Sequence, residues 1–195
     1  MNSTYIIIFI VIIAVAIYYF SNKGDVVYVT SDIDDKQYLV RDLPDKQQAA
    51  NMLARIKQNI MTLTKYLVEN KNSEKFKPYI PYIDQLANKI KNVVITESSG
   101  DSVYTSYSVN KGDEIVFCLR SRKNKDKMHD INLVMYVALH EMAHVACPEF
   151  GHTELFKKIF AFLTEVAISL GLYKKMDFEA EPVEYCGLTI TDSII

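Results

Sequence analysis

The chain has 195 residues, enough for one domain of about 150 residues plus an appendage. Lys and Arg number 22 against 24 Asp and Glu, a near balance that excludes a whole-chain electrostatic nucleic-acid binder. Hydrophobic residues at 49% exclude a disordered chain, and three Cys are too few and too odd for a secreted disulfide scaffold.

No charged side chain occurs from Met1 to Asn22, and Tyr5 to Phe20 reads YIIIFIVIIAVAIYYF. This is the short end of a membrane-spanning helix, with Tyr5, Tyr18 and Tyr19 suited to the two interfaces. A cleaved signal peptide fits less well, because MNST carries no basic residue and YYFSNKGD holds no small-residue cleavage pattern. A buried core helix would rarely be so uniform in Ile and Val. Residues 1–20 are therefore expected to be a single-pass anchor. Lys23 just after it favours a main body facing the cytoplasm. Cysteines that read as unpaired lean the same way.

Residues 21–44 read as a membrane-proximal stalk, within which VVYVT and YLV are alternatively short strands. Asp45 with Gln48 three positions on resembles a capping box. Ala49, Met52, Leu53, Ile56, Ile60, Leu63 and Leu67 then recur at helical spacing, which predicts an amphipathic helix over 45–70. A shorter helix begins near Pro81 and runs through Ile83, Leu86 and Ile90. VVIT at 93–96 is a strand and ESSGDS a turn. VYTSYSV and EIVFCLR flank NKGD as a hairpin. If the strand 114–120 lies at a sheet edge, it can recruit an extended peptide through its backbone. An apolar helix follows from about Asp130 to Cys147, stopped by Pro148. The last long helix runs from about His152 to Leu170 and is closed by Gly171. Helices, then strands, then helices indicate an α+β domain over 45–195.

Residues 140–144 read His-Glu-Met-Ala-His. On a helix, positions i and i+4 share one face, so both imidazoles can grip one Zn²⁺. Glu141 beside them can take a proton from a water that the metal activates. Ionisable groups on so apolar a helix are costly unless paired or metal-bound. Zinc in a catalytic site takes a third protein ligand and leaves one position open. Glu165 follows His144 by 21 positions and His152 by 8. At about 100° per residue, His152 falls on the same face as Leu155, Phe156, Ile159, Phe160, Leu163 and Val166, and Glu165 on the opposite one. His152 is therefore the expected third ligand, with Glu165 as the alternative.

The stretch CLRSRKNKDKMHDINLVMYVALHEMAHVACPEFGHTELFKKI resembles the core of the WLM and SprT-like (Spartan-type) zinc metalloproteases. A CLR-type strand, a loop, H-E-[LM]-x-H and then G-H-x-x-x-F occur there in that order. The resemblance covers about residues 90–172. It implies a minimal zincin fold, one Zn²⁺ per chain on His140, His144 and His152, and Glu141 as general base. Eukaryotic members cleave proteins crosslinked to DNA and carry DNA-binding tails. Here an anchor precedes the core, so the expected substrate is a membrane-proximal protein or peptide and nucleic acid is a doubtful partner.

Weaker signals remain. Arg120, Arg122, Lys123, Lys125 and Lys127 make a basic loop that can touch phosphates, although a solvated loop is the simpler reading. His129 is expected at the surface or as a cap. Tyr185 is a candidate to stabilise an oxyanion. The rival function is a catalytically silent, membrane-tethered scaffold whose metal only holds the fold, with Cys147 or Cys186 as the fourth ligand that closes a structural site.

Overall fold

The computed structural model describes residues 5, 8–13, 15, 25–124 and 127–195. Among them no helix is long and apolar enough to cross a membrane. The span expected over 5–20 lies mostly outside the described residues, and the described ones lend a single-pass anchor no support.

Strands β1 (Val26–Thr30) and β2 (Gln37–Arg41) pair antiparallel. Alternation along β2 turns Tyr38 and Val40 into the common core. The stalk expected over 21–44 is corrected to that extent: two apolar side chains on one face make this segment part of the folded body. Helix α1 (Lys46–Asn70) lays Leu53, Ile56, Ile60, Leu63 and Leu67 against the same core at helical spacing. A 3-10 turn at Lys77–Tyr79 leads into α2 (Ile80–Ile90), whose Pro81 sits in the first turn, where no intrahelical N–H is needed.

The central sheet holds β3 (Val94–Glu97), β4 (Tyr107–Val109) and β5 (Glu114–Phe117) in the order β3-β5-β4. Strand β5 runs parallel to β3 and antiparallel to β4. It is the middle strand, so the idea that its edge recruits a peptide is corrected; that edge belongs to β4. Helix α3 (Ile131–Ala146) starts at Asp130, whose side chain accepts from the Asn132 N–H at 2.8 Å. It ends where Pro148 forces Cys147 to extended geometry (φ −80°, ψ 128°). Helix α4 (Glu154–Ser169) is capped by Thr153 and closed at Gly171 (φ 69°). There the Leu172 N–H donates to the Ala167 carbonyl at 2.9 Å, the Schellman pattern of a glycine stop.

Strands β6 (Val183–Tyr185) and β7 (Leu188–Ile190) form a hairpin around Cys186 and Gly187. Both turn residues have positive φ, 53° and 88°, as a two-residue hairpin of the favoured hand requires. Cys186 forms a disulfide with Cys118 just after β5, with the Cα atoms 6.2 Å apart. The expectation of unpaired cysteines is thus corrected, and with it one ground for a cytoplasmic body. Only Cys147 is free.

Asp45 does not act as the expected helix cap. Both its oxygens accept from Arg120 Nη1, at 2.7 and 2.6 Å, because a guanidinium is a stronger donor than a helix-end N–H. Arg120 Nε donates to Glu97 at 2.7 Å, and the other Glu97 oxygen accepts from the Arg41 N–H at 2.8 Å. With side chains only 2% and 1% exposed, Arg120 and Glu97 lock the sheet to α1 and β2. Arg120 therefore leaves the solvated basic loop in which the sequence places it.

Arg120→Ala strands the Glu97 carboxylate in the core and lowers unfolding free energy by about 3–5 kcal/mol in urea titrations. Cys118→Ser frees a loop closed over 68 residues of sequence separation and costs up to about 4 kcal/mol, an effect that a reducing agent reproduces on the parent.

Candidate metal centre

Helix α3 presents His140 and His144 one turn apart. His152 reaches them from outside any helix, since α4 begins two residues later at Glu154. The reversal that returns it passes through Gly151 at φ 78°, a conformation glycine adopts freely. His140 Nε2 lies 3.1 Å from His144 Nε2 and 3.1 Å from His152 Nε2. One ligand atom from each ring lies within 4.8 Å of the others. Two nitrogens each about 2.0–2.1 Å from one tetrahedral ion would stand about 3.3–3.4 Å apart, so the three rings fit a single divalent metal.

The rings are held by packing. Phe156, on the first turn of α4, lies 5.1, 4.3 and 4.9 Å centroid to centroid from His140, His144 and His152. Phe160 adds a contact with His140 at 5.3 Å. Burial pushes His140 down to about 3 and His144 down to about 4, reinforced by mutual repulsion among the rings. Both imidazoles are thus neutral at pH 7 and have lone pairs to give.

Glu141 is buried and points at β4, where it accepts from the backbone N–H and hydroxyl of Ser108. Burial raises its carboxyl to about 7, against those two hydrogen bonds. A carboxyl poised there exchanges protons readily at neutral pH. Sequence reasoning missed Ser108, since a serine in a strand carries no signal of which side chain it will meet. It also missed Lys111. That residue lies in the β4–β5 turn, where Asn110, Lys111 and Gly112 all have positive φ. Its ammonium donates to the carbonyls of Cys147, Pro148 and Glu149 at 2.8, 3.0 and 3.2 Å. The turn is thereby clamped onto the reversal that carries His152.

A cleft of about 700 Å³ runs between β4 and the three histidines, with Glu141 in its lining. Tyr185 lines a smaller cavity that also touches His140, Glu141 and His152. Its hydroxyl is 2.6 Å from Ser106 Oγ, and burial raises its pKa, so it stays protonated and can donate. Glu165 stands elsewhere. Its side chain is 55% exposed and its carboxylate is 3.8 Å from Lys75, which removes it as an alternative ligand. His129 is buried, not superficial: its Nε2 accepts from the Cys186 N–H at 3.2 Å and its ring lies 5.0 Å from Tyr185. Arg122 donates to the Tyr104 carbonyl at 2.6 Å, while Lys125 lies outside the described residues. Among the described residues no cysteine or carboxylate joins the three imidazoles.

No protein-family model matches the chain. "Uncharacterized protein R325" of Acanthamoeba polyphaga mimivirus is 52% identical over 198 residues, covering 99% of each chain. "Uncharacterized protein 136R" of Invertebrate iridescent virus 6 is 45% identical over 69 residues, 35% of this chain and 38% of its own length. The chain belongs to the family of the mimivirus protein. Among solved structures, that of a Wss1 mutant from Saccharomyces cerevisiae aligns with a TM-score of 0.49 at 21% identity. The alignment spans 69% of this chain and 92% of that one. Wss1 from the same yeast aligns with a TM-score of 0.48 at 20% identity, spanning 68% and 89%.

The geometry predicts that His152→Ala lowers affinity for a divalent metal by at least about 100-fold, more than loss of an outer-shell partner. Glu165→Ala leaves affinity and stoichiometry at the parental values. Competition with a chromogenic chelator measures both.

Proposed function

We propose that the chain is a zinc-dependent metallopeptidase of the WLM/SprT-like type, hydrolysing peptide bonds with a metal-activated water. The observation that carries this reading is one arrangement. Three imidazoles converge on one point in the lining of a cleft, and a buried carboxylate of raised pKa adjoins His140 and His144 on their helix. Residues 5–20 would tether the body to a membrane, and a membrane-proximal protein or peptide would be the substrate.

His140, His144 and His152 would hold the metal. When bound, Zn²⁺ polarises a carbonyl and makes a water acidic enough to lose a proton near pH 7. The rest is the work of the chain. Strand β4 is an edge beside the cleft, so an extended peptide can pair with it and be laid across the histidines. Glu141 takes the attacking water's proton and later returns it to the leaving amine. Ser108 keeps its carboxylate aimed along the cleft wall. Tyr185, protonated and lining the cavity that His140 and Glu141 also line, would donate to the developing oxyanion.

The rival scaffold reading needs a closed metal site of four protein ligands. Neither candidate thiol joins the three imidazoles: Cys186 is bonded to Cys118, and Cys147, though free and buried, is not among the ligand atoms that meet there. The open three-ligand set favours catalysis.

Glu141→Gln tests the reading and has two signatures. The variant retains the metal and loses at least about 100-fold in kcat/KM on a cleaved peptide. Cleavage at the parental rate would remove Glu141 from its role. The second signature is thermodynamic. Folding raises this carboxyl from 4.5 to about 7, so the cost of burying its charge appears as pH climbs through that window. The metal-free Gln variant is therefore more stable than the parent at pH 8, on the order of 2 kcal/mol, and equal to it at pH 4. Thermal unfolding at the two pH values reads the difference.

A further inference from the structure

A second cavity, about 380 Å³ in volume, opens beside the metal centre. Its walls are apolar: Tyr136 and Val137 from α3, Phe160 from α4, and Tyr185, Leu188 and Ile190 from the terminal hairpin. His140, Glu141 and His152 also line it, so it is continuous with the reacting centre. Its volume is within the range of pockets that enclose small organic groups, about 300–1,000 Å³. Water in so apolar a space finds few partners, and an apolar group that displaces it gains by burial.

The cavity is preformed. The hairpin wall is pinned by the Cys118–Cys186 disulfide, by the Cys186 N–H bond to His129, and by the Tyr185–Ser106 contact. Tyr136 is fixed in turn by Phe160 at 5.2 Å and Phe178 at 4.8 Å, and its hydroxyl accepts from the Ile194 N–H. A rigid wall of this kind spares a ligand the entropy of ordering it. Leu188 is 60% exposed, an apolar side chain left for an occupant to cover. The cavity is also marked by charge. Asp192 lines its rim, so an acidic group entering it meets a carboxylate.

We propose that this cavity receives a bulky apolar side chain, branched or aromatic, from a substrate residue flanking the scissile bond. The chain then selects peptides by that residue and rejects acidic ones there. This rests on the metallopeptidase reading and names its substrate class. The disulfide-bound hairpin, which lies outside the H-E-x-x-H motif, is the specificity element.

Two measurements on the zinc-loaded full chain test it. The first is cleavage of a peptide set that varies only at the residues flanking the scissile bond, through Gly, Ala, Leu, Phe and Asp. Leu or Phe exceeds Gly by at least about 10-fold in kcat/KM, and Asp is the poorest. Leu188→Asp, a change at an exposed position, reduces the Leu-to-Gly ratio several-fold. The second is calorimetric affinity for hydroxamates with methyl, isobutyl or benzyl arms, which needs no turnover. The larger arms bind at least about 10-fold tighter, and Leu188→Asp erases the difference. Cleavage indifferent to the flanking residue, with arms that bind alike, overturns the pocket and leaves the peptidase reading standing. Arms that discriminate on a chain that cleaves nothing uphold the pocket and overturn the reaction.

Discussion

The site depends on a chain reversal between two helices. His140 and His144 are neighbours by helix geometry alone, but a third imidazole can meet them only if the chain turns back at once. Pro148 stops α3, Gly151 supplies a positive φ, and Thr153 starts α4. His152 falls between the turn and the cap, where no helix constrains it. Phe156 then packs against all three rings, so the apolar face of α4 sets the angle at which they converge. Lys111 holds the same reversal from the sheet side through three carbonyls.

Around this point, segments far apart in sequence supply the rest. Strand β4 brings Ser108 to Glu141, and the terminal hairpin brings Tyr185 to Ser106. Each attachment is cross-braced by a buried interaction of its own. The Arg120–Glu97–Asp45 network ties the sheet to α1, and the disulfide ties β5's exit to the hairpin. Groups that are to hold a metal have to be oriented by their surroundings, and here packing against Phe156 holds the three imidazoles together. Desolvation is the common currency. The burial that lowers His140 and His144 leaves their lone pairs free, and the burial that raises Glu141 brings it near neutral pH.

Much of this was legible in the sequence where the signal is local. Apolar periodicity located α1, α3 and α4 to within a few residues, because a stripe at helical spacing has one way to be buried. The i and i+4 histidines could be read for the same reason. The wheel placed His152 on the face of Phe156, and the two do pack together, although His152 lies before the helix. What failed was long-range. Asp45 looked like a cap because the spacing to Gln48 is local, while its partner Arg120 lies 75 residues away. Cys118 and Cys186 looked unpaired for want of any sign that β5 and the hairpin meet. The order β3-β5-β4 puts the third strand in the middle, and nothing in the composition of β5 announces a central position beyond its apolar run. Between residues 25 and 44 the strands VVYVT and YLV could be read only as an alternative to a stalk, because such short segments carry little periodic signal, and it is the strand reading that the fold bears out.

X-ray absorption at the zinc edge of the metal-loaded chain reads out whether His140, His144 and His152 share one ion. Three imidazole nitrogens and one water-derived oxygen are expected at about 2.0–2.1 Å, with one nitrogen lost in His152→Ala. A sulfur neighbour near about 2.3 Å, or a coordination shell unchanged by removing His152, would contradict it.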